Sequence, residues 1–447
     1  MIADNSLDIN GKRGTSIFHF DFLTFFSMVF LMTIGVLFIY SSGVNSSGQL
    51  ISGEYRNQLI WTGTALIIYF LFQIPHYQTL QKNSLTIYSV FFLLLIITLL
   101  FGKEVNGARS WLGLFGFGIQ PSEFMKIATI LLLAQFYQNR NKEIDKLSTF
   151  LTGLLISLLP MVIVLLQPDM GTALVFIPIF LAISFVAGVN RRYLLYFFLL
   201  GVFILLFTVI PVWERSILQR DVRLISMLNN RDLVYLAAGI LFGTGFFSLI
   251  SYRLTKRRYF FTIATVLFLF SFAFIGSYFL RNLLKDYQIM RLIVFVKPEV
   301  DPRGSGWNII QSLTAVGSGG FWGKGFLQGT QSHYQFLPQQ STDFIFSIIA
   351  EEWGFVGSMI VLILFSIILV RSFIILMNAG DDFAIFTGTG ILFMLFFHLV
   401  INIGMAIGIM PITGIPLFFL SYGGSSLWTA TVGLAIIQNI YLRRYKY

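Results

Sequence analysis

Six side chains able to move protons, pair with ions or hold phosphates sit in or beside otherwise apolar segments: Arg56, Arg109, Glu123, Lys126, Asp169 and Asp343. Asp343 stands alone between FLPQQST and the apolar FIFSIIA, with Glu351 and Glu352 about two helical turns further on. A lone carboxylate suits a general base or a ligand to a divalent cation. It equally suits a helix N-cap ahead of FIF. In QPSEFMKIA (120–128), Pro121 favours a helix first turn, and Ser122 or Glu123 can serve its free amides. Glu123 and Lys126, three apart, share a helix face. Glu123 reads either as a local ion-pair partner or as a site residue, and Lys126 as a buried cation beside an anion site. In QPDMGTALVF (167–176), Asp169 either caps the next helix, with Thr172 three residues on, or joins the same site. Arg109, near Trp111 in NGARSWLGLFGFGIQP (106–121), either belongs to an amphipathic interfacial element or meets a phosphate. Arg56 in EYRNQLIW takes either a lipid headgroup or a specific anion. Cations with isolated carboxylates describe a site for a large, anionic, lipid-linked substrate. The cations would hold phosphates and one carboxylate would act as base or metal ligand.

The composition says what must position these residues. Of 447 residues, 56% are hydrophobic and 11% charged, with 50 Phe, against roughly 25% charged in a soluble domain. Only a bilayer can solvate such a chain. The absence of Cys excludes disulfides, thiolate metal sites and cysteine nucleophiles. The net charge of +10 falls in short loops, where it orients a membrane protein rather than binding nucleic acid. The polar start MIADNSLDINGKRGTS leads into a full-length span, so no cleaved signal peptide is expected.

Apolar runs predict an all-α polytopic membrane protein of about twelve transmembrane helices, near 18–41, 59–75, 84–101, 121–137, 149–166, 170–188, 193–212, 233–251, 259–280, 344–370, 384–403 and 417–440. With alternating spans, Lys12, Arg13, Lys82, Arg140, Lys142, Lys146, Arg191, Arg192, Arg253, Lys256, Arg257, Arg258, Arg371, Arg443, Arg444 and Lys446 fall on one side. That side is cytoplasmic, and both termini lie there. The outer segments 42–58, 102–120 and 281–343 are long, and the last ends at Asp343. The site residues collect on this outer side.

VGSGGFWGKGF (316–326) is no phosphate-binding loop: its glycine spacing is wrong and no Ser or Thr follows Lys324. It reads as a flexible turn dipping toward the membrane. NIGMAIGIMPITGIPLFFLSYGGSS (402–426) puts Gly, Pro and Ser at membrane depth, which requires burial in protein or a cavity wall. His398 reads as a hydrogen-bonded interior residue, since no second histidine stands at metal spacing. Glu351 and Glu352 either line the cavity or satisfy neighbouring helices. No internal repeat is visible, and residues 1–447 read as one membrane domain.

The blocks GARSWL, QPSEFMK, QPDMGTALV, GWNIIQSLTAVGSGGFWGKGFLQGTQS, TDFIFSIIAEEWG and SYGGSS, in this order, resemble the SEDS family of bacterial cell-wall glycosyltransferases. GTQSHYQFLP and GIPL favour its elongation branch over its division branch. The resemblance implies a peptidoglycan polymerase of the bacterial cytoplasmic membrane, acting from outside on lipid II and undecaprenyl-pyrophosphate-linked glycan. It implies the elongation machinery and a class B penicillin-binding protein as partners, with a divalent cation (Mg or Mn) and no organic cofactor. Asp343 matches the family's essential aspartate, with Arg56, Arg109, Glu123, Lys126, Asp169 and Thr172 as substrate-binding candidates. The family's PE-x-HTDF reads PQQSTDF here, so Gln339 and Ser341 replace an acid and a histidine. Either those two are dispensable or any metal is held differently. Residues 213–281 look like a helical hairpin inserted into a core of ten spans, ahead of a large extracytoplasmic loop over 282–343. A lipid II flippase or other transporter, and a non-catalytic scaffold for a penicillin-binding protein, are the rival readings.

Overall fold

The computed structural model describes residues 20–443 apart from 106, 115–116, 215–216, 218–227, 229 and 303. Lys12, Arg13, Arg444 and Lys446, on which the orientation partly rests, lie outside the described residues. Each segment expected to span is wholly or largely helical. In chain order the helices are α1 (Phe22–Ser42), α2 (Glu54–Leu71), α3 (Tyr77–Lys82), α4 (Ser84–Phe101), α5 (Pro121–Asn139), α6 (Leu147–Leu166), α7 (Met170–Leu174), α8 (Phe176–Val186) and α9 (Arg191–Trp213). They continue with α10 (Arg231–Thr255), α11 (Arg258–Leu283), α12 (Asp286–Val296), α13 (Ser305–Ser318), α14 (Thr330–His333), α15 (Ile345–Met377), α16 (Asp382–Ala406) and α17 (Gly424–Arg443). Among the described residues eight of these are long and apolar enough to cross a membrane: α1, α4, α6, α9, α10, α11, α15 and α16. The chain is a polytopic, helical membrane protein.

The most completely buried helices are α5, α16 and α17, whose side chains pack with α1, α8 and α15 into one large core. Packing in a bilayer gains nothing from excluding water, so close fit and hydrogen bonds must hold helices together. Hydroxyl groups do this repeatedly. Tyr137 and Ser184 meet at 2.8 Å between α5 and α8, and Ser271 Oγ donates to the Ala238 carbonyl at 2.8 Å between α11 and α10. The α10–α11 pair packs tightly on itself and on α9. Lys256, left-handed at φ 57°, turns the chain between its two helices.

One end of the bundle is locked by charge and amide groups. Arg371 near the end of α15 donates through Nη2 and Nε to the Asp21 carboxylate ahead of α1, at 3.1 and 3.3 Å. Asp381 caps α16 and accepts the Tyr77 hydroxyl at 2.6 Å. Arg443 donates to the carbonyls of Gln73 and Ile74. The candidate site residues gather at the opposite end.

Three segments add to or differ from the expectation. Residues 103–119 form a three-stranded antiparallel sheet, β1 (Lys103–Val105), β2 (Ala108–Leu114) and β3 (Phe117–Ile119), so the fold is not helical throughout. Gly107 at φ 82° makes the β1–β2 turn, and Trp111 pairs with Lys103. The large loop expected over 282–343 contains three helices, α12, α13 and α14. The run over 170–188 is continuous helical backbone, with Val175 at φ −66° and ψ −26° joining α7 to α8, but the last helix begins at Gly424, leaving 417–423 non-helical.

The glycine-rich stretch before α14 is pinned, not a flexible turn. Gly354, at φ 64° and ψ −156°, breaks α15. The amides of Lys324 and Gly325 donate to the carbonyls of Glu351 and Glu352 at 3.0 and 2.9 Å, while those of Phe355 and Val356 donate to Gly320 and Phe321. The two glutamate side chains, completely buried, finish the job. Glu351 accepts from Lys324 Nζ (2.6 Å), Thr330 N (2.8 Å) and Gln331 N (3.0 Å). Glu352 accepts from Ser41 Oγ (2.5 Å) on α1 and Leu327 N (3.1 Å). A Cβ on Gly354 would strike the backbone of Gly323 and Trp322. Only glycine adopts that backbone without strain of about 1–3 kcal/mol. Gly354→Ala should therefore cost at least that much and lower the thermal midpoint of the detergent-solubilised protein by several degrees, whereas Gly201→Ala, at an open helical position, should not.

Candidate functional site

Asp343 lies on the turn that enters α15, and a second non-helical segment is bound beside it. Asn402 on α16 donates through Nδ2 to the carbonyls of both Asp343 (2.9 Å) and Ile415 (2.8 Å). Ser421 Oγ donates to the Thr342 carbonyl at 2.6 Å, and the Tyr422 amide to the Ser341 carbonyl at 2.8 Å. His398 Nδ1 meets the Pro416 carbonyl at 2.9 Å. Side chains thus supply the hydrogen bonds that helix geometry cannot, which is how broken backbone survives at this depth. The Gln339 carbonyl accepts the amides of Asp343 (3.0 Å) and Thr342 (3.3 Å), closing the turn.

The Asp343 carboxylate is not a helix cap. The residue at the cap of α15 is Phe344, with no side-chain hydrogen bond to the helix. Asp343 Oδ2 instead borders a small space over Gly414, where a Cβ would stand 3.6 Å from it and 3.7 Å from Arg291 Nη1. Gly414, at φ 74°, keeps that space open. Burial pushes the Asp343 carboxyl above the ordinary range. Arg291 and a hydrogen bond from Thr342 pull it down, and the charge of Asp169 pushes it further up.

Asp169 caps α7 and also faces the site. Its Oδ1 accepts the Thr172 amide at 3.1 Å, and its Oδ2 accepts the Thr172 hydroxyl at 2.9 Å and Gln120 Nε2 at 2.8 Å. Burial raises its carboxyl as well, against the bonds from Thr172 and Gln120 and the charge of Lys126. The preceding carbonyl, Pro168, accepts Gln288 Nε2 at 3.2 Å. This sets α12 over the turn, with Arg291 on the same face as Gln288.

Lys126 is fully buried, and its charge is already engaged. Its ammonium donates to Glu123 Oε1 at 2.8 Å and meets His398 Nε2 at 3.1 Å. An ammonium can only donate, and the Pro416 carbonyl can only accept, so His398 is neutral with its proton on Nδ1. Its ring stacks on Phe418 at 3.7 Å, which also lies 5.3 Å from the ammonium. His398 is the interior, hydrogen-bonded residue expected from the sequence.

Asp343, Asp169, Thr172 and the Glu123–Lys126 pair therefore come together. Arg56 and Arg109 do not join them through any direct contact. Arg56 is exposed at the start of α2, where Nε donates to the Tyr55 hydroxyl at 3.1 Å. Arg109 is exposed on β2, 3.7 Å from Glu104, though its amide donates to the Gln167 carbonyl just before the Asp169 turn. Glu351 and Glu352 hold the glycine-rich stretch. Sequence reasoning missed Arg291, Gln120, Asn402 and Ser421. Arg291 had a signal in DYQIMRLIVFV, where Gln288 and Arg291 stand one turn apart on a polar face.

Among the described residues no three His, Cys, Asp or Glu side chains converge as a metal cage. The donor set nevertheless suits a hard cation that shares its shell with substrate phosphates and water, which needs only one or two carboxylates. Asp169 Oδ1 retains a free acceptor site for this, and Asp343 lies within reach of its field.

Comparisons agree with this architecture. The FtsW/RodA/SpoVE family, described as "Cell cycle protein", matches residues 22–234 and 227–446. A Treponema pallidum protein named peptidoglycan glycosyltransferase RodA is 45% identical over 432 residues, 97% of this chain and 99% of that protein. The peptidoglycan glycosyltransferase MrdB of Escherichia coli K12 is 32% identical over 93% of both chains. Stage V sporulation protein E of Bacillus subtilis is 31% identical over 94% of this chain and 96% of its own. A solved chain from a peptidoglycan synthase complex, described as coordinating polymerization and crosslinking, superposes with a TM-score of 0.64 at 25% identity over 96% of this chain and 99% of that one. The crystal structure of the Thermus thermophilus rod shape determining protein RodA shares the fold, with a TM-score of 0.60 at 24% identity over 95% and 98% of the two chains. The buried site at one end of a helical bundle, the ordered blocks that build it and these full-length matches together make the chain a member of the FtsW/RodA/SpoVE, or SEDS, family.

Proposed function

We propose that this chain is a peptidoglycan glycosyltransferase that polymerises lipid II into glycan strands during cell elongation and shape maintenance. The observation that carries the mechanism is Asp343: a half-buried, uncapped carboxylate beside the small space over Gly414, in a chain 45% identical to a peptidoglycan glycosyltransferase. Asp343 takes the proton of the acceptor sugar's 4-hydroxyl. That oxygen attacks the anomeric carbon of the growing strand, with inversion, and undecaprenyl pyrophosphate leaves. A carboxyl raised by burial is a stronger base than a free aspartate, which suits this role. A divalent cation, Mg or Mn, held by Asp169 together with substrate phosphates, would supply further charge neutralisation.

The reading extends to organisation. Twelve helices span the bacterial cytoplasmic membrane, both termini lie in the cytoplasm, and residues 282–343 stand on the extracytoplasmic side with the site. Residues 213–281 are a hairpin inserted into a ten-span core. The partner is a class B penicillin-binding protein, in keeping with the polymerization and crosslinking synthase complex of which one chain shares this fold. Arg56 and Arg109, on the exposed rim, meet lipid headgroups or the substrate's phosphates as it enters.

The decisive assay is glycan synthesis from purified lipid II with the partner present and its crosslinking blocked. Wild type should make strands and Asp343→Asn none, with the complex intact. Lipid translocation by the wild type without synthesis would support a carrier instead. Full activity in Asp343→Asn would remove Asp343 as the base. The same variant should be at least as stable as wild type at neutral pH. A carboxyl whose folded pKa is raised costs stability above its unfolded value, and the amide removes that cost. Because the base form is the active one, the wild-type rate should fall on acidification at a pH above the usual aspartate range.

Glu123 and Lys126 are expected to act on structure first. Lys126→Met leaves a buried carboxylate without its partner and should cost about 3–5 kcal/mol. Adding Glu123→Gln should restore most of the thermal stability. If the double variant is as unstable as the single one, the pair is not the structural unit described.

A further inference from the structure

Arg291 is the cation at the Asp343 space whose charge the protein has not spent. Among the described residues it enters no ion pair, and its guanidinium lies 5.5 Å from the ring centroid of its helix neighbour Tyr287. It is separated from Asp343 by more than the 4.0 Å of an ion pair. The 3.6 and 3.7 Å from Asp343 Oδ2 and Arg291 Nη1 to one point over Gly414 cap their separation at about 7.3 Å. That separation excludes an ion pair and leaves both groups facing the space over Gly414. Lys126, the other cation acting on this cluster, is neutralised by Glu123. The half-buried Arg291 is also held in place: Lys285 Nζ donates to the Gly107 carbonyl at 3.3 Å and Gln288 to Pro168, so α12 is tied to the sheet and to the Asp169 turn.

We propose that Arg291 is a substrate-binding residue that receives the diphosphate of the polyprenyl-linked sugar whose reaction Asp343 catalyses. The inference rests on the glycosyltransferase reading above. A guanidinium offers paired donors in a plane, the geometry that phosphate oxygens accept. In the displacement, Asp343 takes the hydroxyl proton and the new oxygen–carbon bond forms. The bond from the anomeric carbon to the diphosphate breaks, and the diphosphate leaves with the electron pair. Arg291 lies where that added charge appears.

The test uses the full chain in lipid nanodiscs with its partner, and binding of undecaprenyl diphosphate as a readout independent of turnover. Arg291→Gln should weaken that binding by about tenfold to a hundredfold, the loss of one charge-assisted hydrogen bond. Binding of undecaprenyl monophosphate should change much less. Arg291→Lys, which keeps the charge without the fork, should fall between, and it carries the test if Arg291→Gln does not fold. Lys297→Gln, an exposed cation at the end of the same helix, should match wild type. A lipid II with its 4-hydroxyl blocked can donate but not accept. A raised KM for it places the diphosphate on the donor, and a raised KM for ordinary lipid II alone places it on the acceptor. Unchanged diphosphate affinity in Arg291→Gln, with only a shift of the acidic limb of the rate profile to higher pH, would make Arg291 a positioning residue for Asp343 and overturn the proposal. A wild type that binds the diphosphate but makes no glycan would sink the glycosyltransferase reading while leaving the binding result to stand.

Discussion

The site depends on Asn402. Its one amide group donates to the carbonyls of Asp343 and Ile415 at once, joining the turn into α15 to the non-helical run before α17. Each of those carbonyls would otherwise be a buried, unpaired acceptor, costing about 1–3 kcal/mol. In a bilayer no water is available to relieve that cost. A buried amide on a helix is therefore what allows two irregular segments to meet, and only irregular backbone can bring Asp343 and Gly414 to the same small space.

Two kinds of charge follow from this arrangement, and the structure treats them differently. Glu123 and Lys126, or Glu351 with Lys324, are paired at short range and surrounded by further donors. Groups held this way are settled: they keep elements in register, and moving them would uncover an uncompensated charge. Asp343 and Arg291 face each other without touching. A desolvated carboxylate without an ion-pair partner is unfavourable for stability, and the same desolvation makes it a stronger base. The fold tolerates this cost only where the surrounding turn is fixed by Asn402, Ser421 and Tyr422.

The glycine-rich stretch has a related role. Its sequence looks like a flexible linker, yet it lies against the break in α15 and exchanges backbone hydrogen bonds with it. Glu351 and Glu352 cross-link it to α1 and to its own amides. The rigidity of this stretch comes partly from these two acids, which lie about two turns beyond Asp343 in the sequence.

Much of this was legible in the residues alone. Apolar runs of membrane length located the long helices, because the bilayer imposes both length and composition, but not the shorter α3, α12, α13 and α14. Pro, Gly and Ser at depth over 402–426 announced broken backbone, and the spacing of Glu123 and Lys126 announced their pairing, since residues three apart on a helix must be neighbours. What the sequence could not decide was direction and distance between segments far apart in the chain. Asp343 and Asp169 both looked like helix caps; Asp169 is one and Asp343 is not, and only the packing of Gly414 and α12 makes the difference. Arg291 lay unremarked in a segment read as loop, while Arg56 and Arg109, as conspicuous by type and place, stay on the exposed rim. Local spacing determines which side chains share a face. Which faces meet is determined by the hydrogen bonds and close packing of the folded chain, and those form only between elements brought together from across the sequence.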